Sequence, residues 1–414
     1  MNRKTVFFLI IALVCIRSIS AQNSKRVLFV GNSYTQVNNL PQMVASIAQS
    51  MGDEMIYASN TPGGCTFMQH CNNQSMNMIC QGNWDVVVLQ EQSQYPSFGQ
   101  EQVEAEVFPY ARRLVDSIYA HNPCADPMFY MTWGRKNGDA DNATYFPVLA
   151  TYEGMDSMLY ERYRYMSHTY DASLCPVGRV WRYLRHNHSD LELYQSDGSH
   201  PSAAGSYAAA CAFYVMIYHR DPLLISQDCG LDAGTAQTIR HAVRTVVFEN
   251  LSDWLRPEPQ AAFIIENIYE KTISLINNSI YAEETTWDFG DGETLASSDN
   301  SITHTYADTG LYTIILNATR HCMNSTATES IILPQETGIE IFDRLENQLT
   351  IYPNPAQNIV TIYANGEVLL YNISGQLIAS LGEIHEHTTL SIHDFPSGIY
   401  IIRSKGVFRK LIIL

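Results

Sequence analysis

The sequence predicts an α/β domain built on a parallel sheet, followed by two small all-β modules. Three observations carry this prediction. Arg26-Val27-Leu28-Phe29-Val30, Asp85-Val86-Val87-Val88-Leu89 and Met128-Phe129-Tyr130-Met131 are short apolar runs without alternation, as expected of strands covered on both faces. Segments with helical spacing of apolar residues lie between and after them, which is the pattern of a doubly wound layer structure. Past a proline-rich break at Arg256-Pro257-Glu258-Pro259-Gln260 the pattern changes to short alternating strands separated by turn residues such as Asp288-Phe289-Gly290-Asp291-Gly292.

The first run ends in Gly31-Asn32-Ser33. A helix follows from Pro41, with Leu40, Val44, Ile47, Ala48 and Met51 on one face. A second helical segment runs from about Gln102 to Ala120, and the alanine-rich stretch Ala203–His219 reads as a late helix. These elements place the α/β domain over residues 24–256 and the first β module over 262–335. A second break at 336–348 precedes the last module, residues 348–414, with strands expected at Val360–Tyr363, Val368–Tyr371, Gly398–Arg403 and Phe408–Leu414.

Composition limits the function classes. The 414 residues carry 25 Lys and Arg against 42 Asp and Glu, a formal charge of −17, which repels phosphate backbones and argues against a nucleic-acid partner. Arg3 and Lys4 precede an apolar run from Val6 to Cys15, and Ser20-Ala21 offers small residues for cleavage, so residues 1–21 read as a secretory signal. No stretch of the mature chain is expected to cross a membrane. Losing the leader removes Arg3, Lys4 and Arg17 and deepens the charge from −17 to −20, which argues against polyanionic substrates. Eight cysteines remain in an exported chain, so disulfides are expected. Cys65, Cys71 and Cys80 share one short segment and are the expected local group, and the absence of any CxxC pair gives a zinc knuckle no support.

Acyl transfer needs a nucleophilic hydroxyl, a histidine base, an orienting carboxylate and donors for a tetrahedral oxyanion. Ser33 lies between a strand and a helix, where its own N–H can face a developing charge. Asp197-Gly198-Ser199-His200-Pro201 sets a carboxylate three residues before an imidazole, so one turn presents both to the same point. His186, His188 and Asp190 lie nearby, but their spacing lacks the i, i+4 geometry of zinc hydrolases, and no metal or organic cofactor is expected. Asp139 and Asp141 read as loop carboxylates.

At these residues the sequence resembles the SGNH/GDSL hydrolases, esterases and deacetylases on a flavodoxin-like three-layer fold. Phe29-Val30-Gly31-Asn32-Ser33-Tyr34 is similar to the first family block, with Asn32 in place of the usual Asp, and Pro62-Gly63-Gly64 to the second. Asp197 and His200 match the last. The resemblance implies a catalytic Ser33, Asp197 and His200, with the oxyanion held by Ser33 N–H, by Gly63 or Gly64, and by a third-block amide. That block departs from the family's Gly-x-Asn-Asp: the chain reads Leu89-Gln90-Glu91-Gln92-Ser93-Gln94, with Gln92 the first choice and Gln90 and Gln94 behind it. Trp133 and Arg135 follow a strand on the expected active-site edge and are the candidate substrate contacts.

Trp287-Asp288-Phe289-Gly290-Asp291-Gly292 with His304-Thr305-Tyr306 and Asp308-Thr309-Gly310 resembles the PKD domain, an Ig-like sandwich, with Trp287 and Tyr306 as core aromatics. Ile351-Tyr352-Pro353-Asn354-Pro355 and Phe395-Pro396-Ser397-Gly398-Ile399-Tyr400 resemble the C-terminal sorting domain of the Bacteroidetes type IX secretion system, which implies that machinery as a partner and a cell-surface or secreted destination. The combined expectation is a secreted serine esterase acting on an acylated glycan, with O-deacetylation as its reaction. The competing expectation is a catalytically inactive adhesin or glycan-binding protein on the same scaffold, motivated by the anomalous third block.

Overall fold

The computed structural model describes residues 23–333, 349–373 and 375–414. The expected leader and the second break lie outside the described residues.

Five strands form one parallel sheet: β1 (Ser24–Val30), β2 (Glu54–Asn60), β3 (Val86–Leu89), β4 (Asp126–Tyr130) and β5 (Ser173–Cys175), in the order β2-β1-β3-β4-β5. This is the flavodoxin-like order. Val27 to Val30 and Val86 to Leu89 are all buried, in keeping with strands that lack alternation. β2 and β5 were not legible as strands. β2 is an edge strand with mixed burial, and β5 has only three residues.

Right-handed crossovers decide where the helices lie. The chain moves one way from β1 to β2 and the other way from β3 through β5. It follows that α1 (Ser33–Gln36) and α2 (Leu40–Ser50) cover one face, and the other face receives α3 (Phe67–His70) and α4 (Gln74–Ile79) from the crossover to β3, then α5 (Gln100–Glu106), α6 (Phe108–His121), α7 (Ala140–Ala143) and α8 (Tyr152–Thr169). The single helix expected over 102–120 is two, broken at Val107 where Pro109 enters the next first turn. After β5 come α9 (Val177–Asn187), α10 (Ala203–Tyr218), α11 (Ala233–Val246) and α12 (Leu251–Trp254). The late alanine-rich helix is α10. Small side chains let α2 approach it closely, and every residue from Ala204 to Tyr218 is buried.

Beyond the proline-rich break, β6 (Phe263–Tyr269), β7 (Thr272–Asn277), β8 (Glu284–Asp288), β9 (Thr294–Ala296), β10 (Ser301–Thr305), β11 (Gly310–Arg320) and β12 (Met323–Leu333) form two antiparallel sheets, β10-β7-β6 and β12-β11-β8-β9. Trp287 and Tyr306 are buried, as expected of core aromatics. The C-terminal module has its own core around Val360, Ile362, Val368, Leu370, Ile402 and Leu411. Its strands are β13 (Thr350–Tyr352), β14 (Ile359–Tyr363), β15 (Gly366–Asn372), β16 (Leu377–Ile384), β17 (His387–Ser391), β18 (Gly398–Ser404) and β19 (Val407–Ile413), in two sheets.

The cysteine expectation is corrected. Cys124 pairs with Cys322, while Cys65, Cys71 and Cys80 are free thiols. Sequence proximity does not decide pairing. Cys124 just before β4 meets the β11–β12 turn because that turn docks on the amino ends of the parallel strands. There Asp171 receives Arg320 Nε at 2.7 Å and His321 Nε2 at 2.8 Å, and the His321 ring stacks on Tyr119 at 3.8 Å.

Candidate active site

In a sheet of this order, ligand sites form at the carboxyl ends of the strands where the winding reverses, here between β1 and β3. Ser33 stands at that point as the first residue of α1. Asn32 caps the helix, its side-chain oxygen accepting the N–H of Tyr34 at 3.2 Å. The Ser33 N–H has no partner among the described residues.

His200 Nε2 lies 2.9 Å from Ser33 Oγ, and His200 Nδ1 lies 2.5 Å from Asp197 Oδ2. An ionised carboxylate only accepts, so Nδ1 carries the ring proton and Nε2 is left to take the hydroxyl proton of Ser33. The other Asp197 oxygen accepts the N–H groups of Ser199 at 2.9 Å and His200 at 3.0 Å. Partial burial pushes the Asp197 carboxyl up, but these hydrogen bonds and the adjacent ring outweigh it and hold the carboxyl below its usual range. The turn closes through Gly198, whose φ of +66° is one that residues with a side chain rarely adopt.

Tyr34 fixes this loop from beneath. Its hydroxyl is 2.6 Å from Ser199 Oγ, and its ring stacks on Trp133 at 4.8 Å. Trp133 in turn stacks on Trp181 at 3.7 Å and donates its Nε1–H to Ser199 O at 3.1 Å. Asn38 adds a second brace, its amide donating to Pro201 O, Ser202 O and Ser206 Oγ. Neither Tyr34 nor Asn38 carries a sequence signal for this role beyond the Asn-Asn turn dipeptide at 38–39.

The expectation that Trp133 touches substrate is corrected, because its side chain is wholly buried and supports the Asp197–His200 turn instead. Arg135 keeps 27% of its side chain exposed and pairs with Asp139 at 3.1 Å. Asp139 is also corrected. It is fully buried and accepts from Gln94 Nε2 at 2.7 Å, Arg135 and Asn142 Nδ2 at 2.8 Å, joining the loops after β3 and β4. Asp141 is exposed but lies in the first turn of α7 rather than in a loop.

The structure separates the oxyanion candidates. Pro62 O accepts the Cys65 N–H at 3.1 Å, closing a turn in which Gly64 takes φ +67° and Gly63 does not need a positive φ. Neither glycine donates its N–H to a partner among the described residues. Gln90 is buried and committed: its oxygen accepts from Asn32 N–H and Thr35 Oγ–H, and its amide donates to Glu91 O. Gln94 is bound to Asp139. Gln92 is half-buried and spends one amide N–H on Gln94 Oε1 at 3.1 Å, leaving the other without a partner among the described residues. Asn32, standing where the family has Asp, donates to Cys65 O at 3.0 Å and Glu91 O at 3.4 Å and so ties the three loops together.

His186, His188 and Asp190 bring no trio of ligand atoms to one point. Among the described residues the one such trio is Asp171, Glu283 and His321, and Arg320 already lies 2.7 Å from Asp171 and 3.9 Å from Glu283 there.

Comparison with known proteins adds the following. Residues 274–332 match the PKD domain, and residues 350–413 match the secretion system C-terminal sorting domain. The sorting domain marks the chain for type IX export to the cell surface or the medium and implies the secretion machinery as a partner. Among the described residues no helix is long and apolar enough to cross a membrane. The chain is similar to a DUF4886 family protein from Bacteroides uniformis, at 17% identity and TM-score 0.47 over 54% of this chain and 94% of that one. It is also similar to a putative SGNH hydrolase from Slackia heliotrinireducens, at 28% identity and TM-score 0.38 over 46% of this chain and 98% of that one. A curated relative, Beta-agarase A of Zobellia galactanivorans, is 29% identical over 105 residues, which are 24% of this chain and 19% of the relative. The match thus spans about a fifth of that relative's length.

Proposed function

We propose that the chain is an exported serine hydrolase of the SGNH type that cleaves carboxylic esters, with O-deacetylation of a carbohydrate as its reaction. The observation that carries the reading is the unbroken line Ser33 Oγ, His200 Nε2, His200 Nδ1, Asp197 Oδ2, with steps of 2.9 and 2.5 Å. Ser33 attacks the ester carbonyl while His200 takes its proton. Asp197 holds the ring in the tautomer that can do so and stabilises the imidazolium that forms. The oxyanion is met by the free N–H of Ser33, by the N–H of Gly63 or Gly64 and by the spare amide N–H of Gln92. His200 then gives the proton to the sugar oxygen as the C–O bond breaks, and water repeats the sequence on the acyl-enzyme. A cell-surface address beside a PKD domain supports a glycan as the acyl carrier.

The test is labelling with a fluorophosphonate probe alongside hydrolysis of p-nitrophenyl acetate and release of acetate from acetylated xylan. Wild-type protein should give label and turnover, and Ser33→Ala neither. A folded wild-type chain that takes no label and hydrolyses none of these esters would leave the scaffold as a binding module.

A further inference from the structure

A carboxylate removed from water needs partners for its charge, and most that are buried pair with a cation. Glu91 has no cation. It is wholly buried, and among the described residues no Lys, Arg or His forms an ion pair with it. The groups facing it are backbone donors and weak acids. Phe67 N–H lies 3.0 Å from both carboxylate oxygens, and Gln92 N–H lies 2.6 Å from Oε1. The Tyr163 hydroxyl from α8 accepts the Glu91 N–H at 3.3 Å. Burial first, and the Glu91 charge after it, push up the thiols of Cys65 and Cys71, the latter against the charge of Arg113. Burial holds the Glu91 carboxyl up at about 8, against the pull of the Gln92 and Phe67 N–H groups.

The two donors belong to the two loops that supply the oxyanion candidates. Phe67 lies two residues after Cys65, at the end of the Pro62-Gly63-Gly64-Cys65 turn, and Gln92 is the third-block amide itself. Asn32 meanwhile grips Cys65 O on the other side of Thr66. We propose that Glu91, as a carboxylate, is a positioning residue that fixes the Gly63–Gly64 loop against Gln92 so that their N–H groups converge above Ser33. A protonated Glu91 would turn an O–H toward backbone N–H donors, so the anion is the form that fits the cradle. This inference rests on the esterase reading and adds a residue that the acyl-transfer chemistry alone does not require.

The experiment compares the full-length wild type with Glu91→Gln and Glu91→Asp on p-nitrophenyl acetate between pH 7 and pH 9. The wild-type kcat should rise up to about tenfold as the carboxyl ionises near 8. Glu91→Gln should lose that rise and fall about 10²-fold in kcat at pH 9 with KM little changed, the scale of a site displaced by an ångström. Glu91→Asp should restore the rise with part of the rate. Fluorophosphonate labelling to full stoichiometry, at a reduced rate, shows Glu91→Gln folded with its nucleophile intact. A Glu91→Gln enzyme with wild-type kcat and pH rise overturns the proposal, as does a loss of rate matched by a loss of labelable protein. Should the wild type hydrolyse no ester, amide exchange at Phe67 and Gln92 still decides: both must exchange faster in Glu91→Gln, and unchanged protection overturns the linkage while leaving the failed esterase reading a separate result.

Discussion

His70 makes the nucleophile segment sensitive to acid, by an amount the structure sets. The ring is fully buried at the end of α3, with Nε2 2.9 Å from Gly31 O and Nδ1 2.7 Å from Ser75 Oγ. A carbonyl only accepts, so Nε2 carries the proton and Nδ1 accepts from Ser75. Burial lowers the His70 pKa from 6.5 to about 4, against the opposing pull of the Gly31 and Asn73 contacts. Because the folded value is depressed, the unfolded chain binds the extra proton first. This contribution is whole above pH 6.5 and is lost as pH falls toward 4. The loss is about 2 kcal/mol at pH 5 and about 3 kcal/mol at pH 4. Urea unfolding followed by tryptophan fluorescence is the assay, since four of the five tryptophans, at 84, 133, 181 and 254, lie in the α/β domain. Between pH 7.5 and pH 5 the wild type should lose about 2 kcal/mol more than His70→Gln, whose amide can serve both partners without titrating. Every other group titrates alike in the two proteins, so equal losses would refute a neutral, buried His70.

Three further outcomes are expected. Asp197→Asn should keep the fold and lower kcat on p-nitrophenyl acetate about 10³–10⁴-fold, because the amide no longer selects the Nδ1–H tautomer of His200. Gly64→Ala should cost about 1 kcal/mol in urea unfolding, since φ is +67° there, whereas Gly63→Ala, with open space at its Cβ, should be near neutral. Thiol titration of the denatured mature protein should find the six free cysteines 65, 71, 80, 175, 211 and 229, and two more after reduction. Cys124→Ser with Cys322→Ser should then lower stability by up to about 5 kcal/mol in the chain-entropy limit for a cross-link spanning 198 residues.

What was legible in the sequence was local. Asp197 and His200 are three residues apart and Ser33 stands just past a strand, so their grouping needed only one long-range contact, which a doubly wound sheet supplies. The buried runs of β1, β3 and β4 announced themselves by lacking alternation, and the Trp287 and Tyr306 core followed from turn spacing. What stayed hidden depends on the chain meeting itself at distance. Asp139 reads as a loop acid until Gln94 and Arg135 arrive from other segments to surround it. Trp133 reads as a rim residue until Tyr34 and Trp181 close over both its faces. Gln90, Gln92 and Gln94 are chemically identical in the sequence. Only the neighbours separate them: Asn32 and Thr35 engage the oxygen of buried Gln90, and Asp139 holds the amide of Gln94.

The position of the first sandwich bears on how substrate is chosen. Its β11–β12 turn is fastened by the Cys124–Cys322 bond and by Asp171 to residues that precede β4 and β5, the amino ends of the parallel strands. Ser33, Gly63, Gly64 and Gln92 follow the carboxyl ends of β1, β2 and β3, the other edge of the same sheet. The docking contacts and the candidate site therefore lie at opposite edges of that sheet. On the esterase reading, the loops of the α/β domain at the Ser33 edge are expected to select the ester. Among these, residues 139–150 stand out, because buried Asp139 pins the segment to the Gln92–Gln94 loop while Tyr145 within it is 78% exposed. A loop fixed at its root that carries a bare aromatic at its tip is suited to meet a sugar face at little entropic cost. If the PKD domain contributes to turnover on polymers, it does so by holding the enzyme near them, and its removal would leave kcat/KM on a small acetate ester unchanged.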